Sequence, residues 1–186
     1  MSQTYRVRIK NKLRENISLQ RDFKKKISLL KILPMEDMGE LMCQELMKEG
    51  WIKDGDEAKQ ERGEWSLSFD PLTQMLSIVY TAEELFEAEY EEDILVYDSN
   101  DSKASARKTA MHIVGAKGAS MMNERLKDMD QEFLVKKEDF LIDLENALNP
   151  AIEQVMKEAL KRKAASLGEV QSLEDTNGEL IIRVKV

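Results

Sequence analysis

The stretch from about Ser102 to Ser166 constrains the fold most, because it takes up roughly a third of the 186-residue chain and shows no strand pattern. It is rich in Ala, Lys, Glu, Leu and Met, residues that favour helix. Met111, Val114, Met121 or Met122, Leu126 and Met129 fall on one face. Leu141, Leu144, Leu148, Ile152, Val155 and Ala159 then continue in steps of three or four, the spacing of an apolar helical stripe. The region is expected to form long helices folded back as a hairpin, and Pro150, which has no amide hydrogen and crowds the preceding turn, should break or kink the second of them after Asn149.

The flanking segments alternate instead. Tyr5, Val7 and Ile9 interleave with Arg6, Arg8 and Lys10, a period of two that describes a half-buried strand with a basic outer face. Further extended runs are expected around Asn16 to Phe23 and through Ile27, Leu29 and Ile32. Pro34 suits the first turn of a helix, with Glu36 and Asp37 where the helix dipole favours anions. Met38, Leu41, Met42 and Leu46 recur at helical spacing, and Gly50 is a natural stop.

Trp51 to Arg62 reads as a polar connection turning at Asp54-Gly55-Asp56. Trp65, Leu67 and Phe69, then Asp70-Pro71, then Leu76, Ile78 and Tyr80 describe a hairpin. Ala82 to Glu92 has helix-favouring composition, but Phe86, Ala88 and Tyr90 alternate strictly with Glu87, Glu89 and Glu91, which favours strand. Such an acidic face would complement the basic first strand, since opposite charges across a ladder contribute roughly 0.2 to 1 kcal/mol per pair. After Gly168, read as a helix cap, Glu169 to Val186 forms a second hairpin around Asn177-Gly178, with Leu180, Ile182, Val184 and Val186 on one face.

These elements give an α+β fold with a mixed or antiparallel sheet, one short helix and a long helical hairpin. The expected organisation is an N-terminal α+β part over residues 1–98, a helical region over 99–168 and a C-terminal hairpin over 169–186 returning to the sheet. Together they make one domain long enough to bury its own core.

Composition excludes several classes of function. One cysteine, Cys43, and one histidine, His112, supply neither a disulfide framework nor a common four-ligand zinc site. No apolar run approaches a membrane span, and the N-terminus has no secretory apolar core, so a cytoplasmic location is expected. The net charge of −8 disfavours polyanion binding. The first 31 residues nevertheless carry ten Lys and Arg against Glu15 and Asp22 alone.

Each candidate site has a plainer explanation. Glu87, Glu89, Glu91, Glu92 and Asp93 resemble a hard-cation face but have no accompanying Asp/Asn/Gly loop, so a solvated or salt-bridged face is favoured. His112 has no nucleophile motif beside it, and Cys43 completes no catalytic constellation. Gly115-Ala116-Lys117-Gly118 lacks the strand and the Gly-Lys-Ser/Thr ending of a phosphate loop, which leaves close helix packing as its role. No catalytic, metal-binding or cofactor-binding residues are assigned. The candidate contact residues are Arg6, Arg8 and Lys10 on the basic strand, with Met38, Met42, Met121 and Met122, whose flexible thioethers suit partner surfaces or irregular cores.

Two stretches, YRVRIK at 5–10 followed by ISLLKILPMEDMGELMCQELMKEGW at 27–51, and EALKRKAASLGEVQSLEDTNGELIIRVKV at 158–186, resemble the accessory X domains of bacterial FtsH ternary systems. Those domains occur beside an FtsH-like AAA+ protein, a von Willebrand factor A protein and a MoxR-type ATPase. The resemblance leaves the X subtype open. It implies a non-catalytic accessory or adaptor without a cofactor, whose partners are proteins such as the AAA+ ATPase or the von Willebrand factor A protein. A nucleic-acid-binding accessory using Arg6, Arg8 and Lys10 is the alternative, and a metal-assisted hydrolase using the glutamates is the least favoured reading.

Overall fold

The computed structural model describes residues 4–97, 103–176 and 179–185. The side chains of Tyr5 and Val7, the Asn177-Gly178 turn and Val186 lie outside the described residues. In chain order the elements are β1 (Thr4–Lys26), α1 (Met35–Lys48), β2 (Ile52–Asp54), β3 (Glu57–Arg62), β4 (Trp65–Asp70), β5 (Met75–Tyr97), α2 (Lys103–Leu167), β6 (Glu169–Thr176) and β7 (Glu179–Lys185). The fold is α+β, with a five-stranded sheet in the order β1-β5-β4-β3-β2 and a separate two-stranded sheet, β6-β7. The chain divides into two compact units, one of Met1–Leu19 with Ala82–Lys136 and the other of Gln20–Thr81 with Lys137–Val186.

The first unit holds the outer halves of β1 and β5 and the first half of α2. The strict alternation of β5 decides its conformation over helix-favouring composition. Ala82, Glu84, Phe86, Ala88, Tyr90 and Glu92 are half-buried, while Glu83, Leu85, Glu87, Glu89, Glu91 and Asp93 are exposed. On α2, Ala110, Val114, Gly118, Met129 and Phe133 are buried. Met121, Met122 and Leu126 are half-buried, and Met111 lies off the stripe at 60% exposure.

The second unit is built around β4 and its neighbours. Trp65, Leu67 and Phe69 on β4 and Leu76, Ile78 and Tyr80 on β5 are buried, and register pairs Leu67 with Ile78 and Phe69 with Leu76. Trp65 is the hub: its ring stacks on Phe140 at 4.1 Å, lies 4.7 Å from Tyr80 and meets Phe23 edge-on at 6.3 Å. Such pairs contribute beyond their burial because ring edge and ring face carry opposite partial charge. Helix α1 buries Met38, Leu41, Met42 and Leu46, and it ends at Gly50, whose φ of 87° only glycine adopts freely.

Several elements differ from the sequence expectation. The two N-terminal runs at 5–10 and 16–23 are one strand of 23 residues, and residues 27–34 have no regular structure. The polar connection at 51–62 contains β2 and β3, joined to each other and to β4 by two-residue turns that begin at Gly55 and Gly63. Both glycines have φ of 62°, the positive value that a type II′ turn reserves for glycine at its first central position. Strand β3 buries only Ala58 and so shows no apolar alternation in the sequence.

The long helical region is one helix, not a hairpin, and it runs through Pro150. Proline in a helix interior costs about 3 kcal/mol. Here Leu144 and Leu148 before it and Ala151, Val155 and Ala159 after it share one buried stripe, so burial on both sides offsets the lost hydrogen bond. Leu180, Ile182 and Val184 are half-buried and alternate with exposed Ile181, Arg183 and Lys185, as expected, but β6 and β7 pair only with each other and do not extend the larger sheet. Gly168 does not act through a positive φ. A Cβ there would fall 2.3 Å from the Lys185 carbonyl oxygen, so it is needed for close approach of β7 to the end of α2.

Candidate functional site

The outer face of β1 and β5 in the first unit brings the expected basic strand against the expected acidic one. Arg8 grips Asp93 with two nitrogens, Nε to Oδ1 at 2.8 Å and Nη2 to Oδ2 at 3.1 Å, while Arg6 Nη2 donates to Oδ2 at 2.6 Å. Below them Arg8 Nε lies 3.0 Å from Glu91 and Lys10 lies 3.3 Å from the same carboxylate. Lys12 pairs with Glu89, and Arg14 lies 3.0 Å from Glu87. Partner numbers fall along β5 as they rise along β1, as an antiparallel ladder requires. The hydrogen bonds from Arg8 and Arg6 lower the Asp93 carboxyl to about 2, and the Asp93 hydrogen bond raises the Arg8 guanidinium.

The other face of β5 in this unit meets α2. Tyr90 donates its hydroxyl hydrogen to the Val114 carbonyl at 2.7 Å, and the same oxygen accepts from Asn11 Nδ2 at 3.0 Å. A Cβ on Gly118 would sit 2.8 Å from that oxygen, so the glycine makes room for the tyrosine. Lys117 lies over the Tyr90 ring, 5.9 Å from its centroid, and pairs with Glu92. The Gly115-Lys117-Gly118 stretch therefore packs a helix on a strand, as its sequence context implied. Arg125 spans Glu84, at 2.6 Å, and Glu132, at 2.8 Å. The Glu84 hydrogen bonds, followed by that of Glu132, raise the Arg125 guanidinium, and Arg125 in turn lowers the Glu84 carboxyl. This triad has no signal in the sequence, because Glu84 and Arg125 stand 41 positions apart and leave no local spacing to read.

The remaining candidates separate. Met38 and Met42 are 1% and 0% exposed, so both are core residues of the second unit and present no contact surface there. Met121 and Met122 are half-buried on α2 in the first unit. His112 is exposed on α2. Cys43 is half-buried on α1, and burial, the largest influence, raises its thiol pKa. Glu87, Glu89 and Glu91 face cations of β1. Among the described residues no three His, Cys, Asp or Glu side chains gather as a metal site, and no helix is long and apolar enough to cross a membrane.

Sheet, helix and charge ladder define an α+β fold in which the basic face of β1 and the acidic face of β5 pair with each other. The chain belongs to the FtsH ternary system domain X5 family, whose model matches residues 1–186. This bears out the resemblance at both ends of the chain and supplies the subtype that the resemblance left open. No curated protein and no solved structure matched the chain.

Proposed function

We propose that this domain is a non-catalytic accessory or adaptor in an FtsH-linked assembly and works by protein–protein contact in the cytoplasm. Membership in the X5 family over the whole chain carries the reading. The geometry supports it in a second way. The charged side chains that sequence alone offered for chemistry pair with opposite charges within the first unit, which leaves them poorly placed to hold a metal ion or move a proton. Apolar side chains stand exposed on α2 in the same unit, among them Met111, Ile113, Leu134 and Val135. Together with Arg6, Arg8, Lys10, Met121 and Met122 they are the contact residues proposed here.

An AAA+ ATPase and a von Willebrand factor A protein are the partners to test. Full-length protein mixed with each purified partner, with ATP or ADP, is expected to co-elute on size exclusion with at least one. Failure to co-elute with either under both nucleotides would remove the accessory reading. The nucleic-acid alternative is weakened because Arg6, Arg8 and Lys10 each face a carboxylate, which cancels the local positive field that phosphate recognition needs.

A further inference from the structure

The second unit contains a groove that the charge ladder does not touch. It lies along the irregular segment between β1 and α1, encloses about 540 Å³ and is walled by Leu29, Leu30, Leu33 and Met35 over the buried Met38. Leu30 is 66% exposed, although it stands among other apolar side chains. Lys26 and Lys31 stand exposed at the rim, and among the described residues neither forms an ion pair. This is the reverse of β1 in the first unit, where the basic side chains are answered by carboxylates.

The backbone of this segment is open as well. Ile27 donates its amide hydrogen to the Gln74 carbonyl at 2.9 Å, and Ile32 donates to Leu30. Among the described residues the amides of Ser28, Leu29, Leu30 and Lys31 donate to no protein acceptor, and the carbonyls of Ser28, Leu29 and Lys31 accept no protein hydrogen bond. Gln74 fixes the groove's floor: it is buried, adopts φ of 57° and sends its side-chain Nε2 to the Met35 carbonyl at 3.4 Å. A left-handed non-glycine residue persists only where its surroundings hold it there.

We propose that this groove takes an extended segment of a partner protein that carries alternating acidic and apolar side chains. The apolar side chains fill the space between Leu29, Leu30 and Met35, the acidic ones meet Lys26 and Lys31, and the partner backbone pairs with the open amides and carbonyls. A lipid tail matches the first requirement and an anionic headgroup the second, but only a polypeptide answers open donors and acceptors in series. The proposal rests on the accessory reading for its biological setting and names where one partner docks.

The probe is a short fluorescein-labelled peptide of alternating Glu and Leu, titrated with the full chain and read by fluorescence anisotropy. Binding is expected, and Lys26→Glu with Lys31→Glu should weaken it about tenfold, the effect of reversing charge at an interface rim. Leu30→Asp should do the same. All three positions are exposed, and unchanged circular dichroism would show that the variants fold. Absence of binding would overturn the proposal, as would equal binding of a Lys-Leu peptide, indifference to all three substitutions, or preferential binding to phosphatidylglycerol vesicles. If the ATPase or von Willebrand factor A complex forms while the peptide does not bind, the groove assignment falls and the accessory reading stands. If the peptide binds and no complex forms, the reverse holds.

Discussion

Gly39 of α1 lies so close to Pro71 in the β4–β5 turn that a Cβ on the glycine would fall 2.0 Å from the proline carbonyl oxygen. The obstructing atom is backbone, within a loop whose Asp70 carboxylate accepts hydrogen bonds from the Leu72 amide at 2.9 Å and the Thr73 hydroxyl at 2.6 Å. Helix and turn are thereby locked together, and the lock depends on a missing side chain.

Gly39→Ala is therefore expected to destabilise, although alanine is about 1 kcal/mol better than glycine in an exposed helix interior. Overpacking costs of about 1–3 kcal/mol oppose that gain, and rigid backbone puts this site at the upper end. Urea unfolding checks the sign. A stabilised Gly39→Ala protein would contradict the contact.

Gln74 allows backbone strain to be measured by difference. Gln74→Ala and Gln74→Gly both remove the side-chain bond to Met35, but only glycine relieves the φ of 57°. The glycine variant is expected to be more stable than the alanine variant by about 1 kcal/mol, the scale of the left-handed penalty for a residue with a Cβ. Equal stabilities would place Gln74 outside the left-handed region in solution.

Tyr90→Phe removes a hydroxyl that bridges Asn11 on β1 and Val114 on α2. The expected loss is about 1 kcal/mol, because the hydroxyl's bond to the Val114 carbonyl and the Asn11 bond to that hydroxyl both disappear. Adding Gly118→Ala to Tyr90→Phe should cost less than adding it to the wild type, because the oxygen 2.8 Å from the new Cβ has gone. A strictly additive double variant would separate the two residues.

Asp93 carries a pH signature. Its carboxyl is near 3.9 in an unfolded chain and is lowered to about 2 by Arg8 and Arg6 in the fold. A depressed folded value means that the stabilisation is present above the unfolded pKa and is lost as pH falls through the folded one. The stabilities of wild type and Asp93→Asn should therefore differ most above pH 4 and converge between about pH 4 and 2. Added salt should shrink the difference, since the pair is exposed. A difference that persists unchanged to pH 2 would assign the effect to something other than this ion pair.

The charge ladder shows how far local pattern reaches. Alternation of Arg6, Arg8 and Lys10 and of Glu87, Glu89 and Glu91 was enough to expect two oppositely charged strand faces, because side-chain direction in a strand follows from a period of two. The partners of individual residues were not legible. Whether Arg8 meets Glu91 or Asp93 depends on register, and register is set by packing of the opposite face, by Tyr90 against Val114 and Gly118.

By itself the sequence determined the α+β class, the short helix ending at Gly50, the β4–β5 hairpin and its continuation as an alternating strand, since each rests on contacts among near neighbours. Tertiary structure alone decided that α2 passes through Pro150 unbroken, that the polar segment Glu57–Arg62 is a strand, and that Gly168 makes room for Lys185. In each of these the local preference is weak or opposed, and what overrides it is burial or close approach involving residues distant in the chain, which no window of sequence contains.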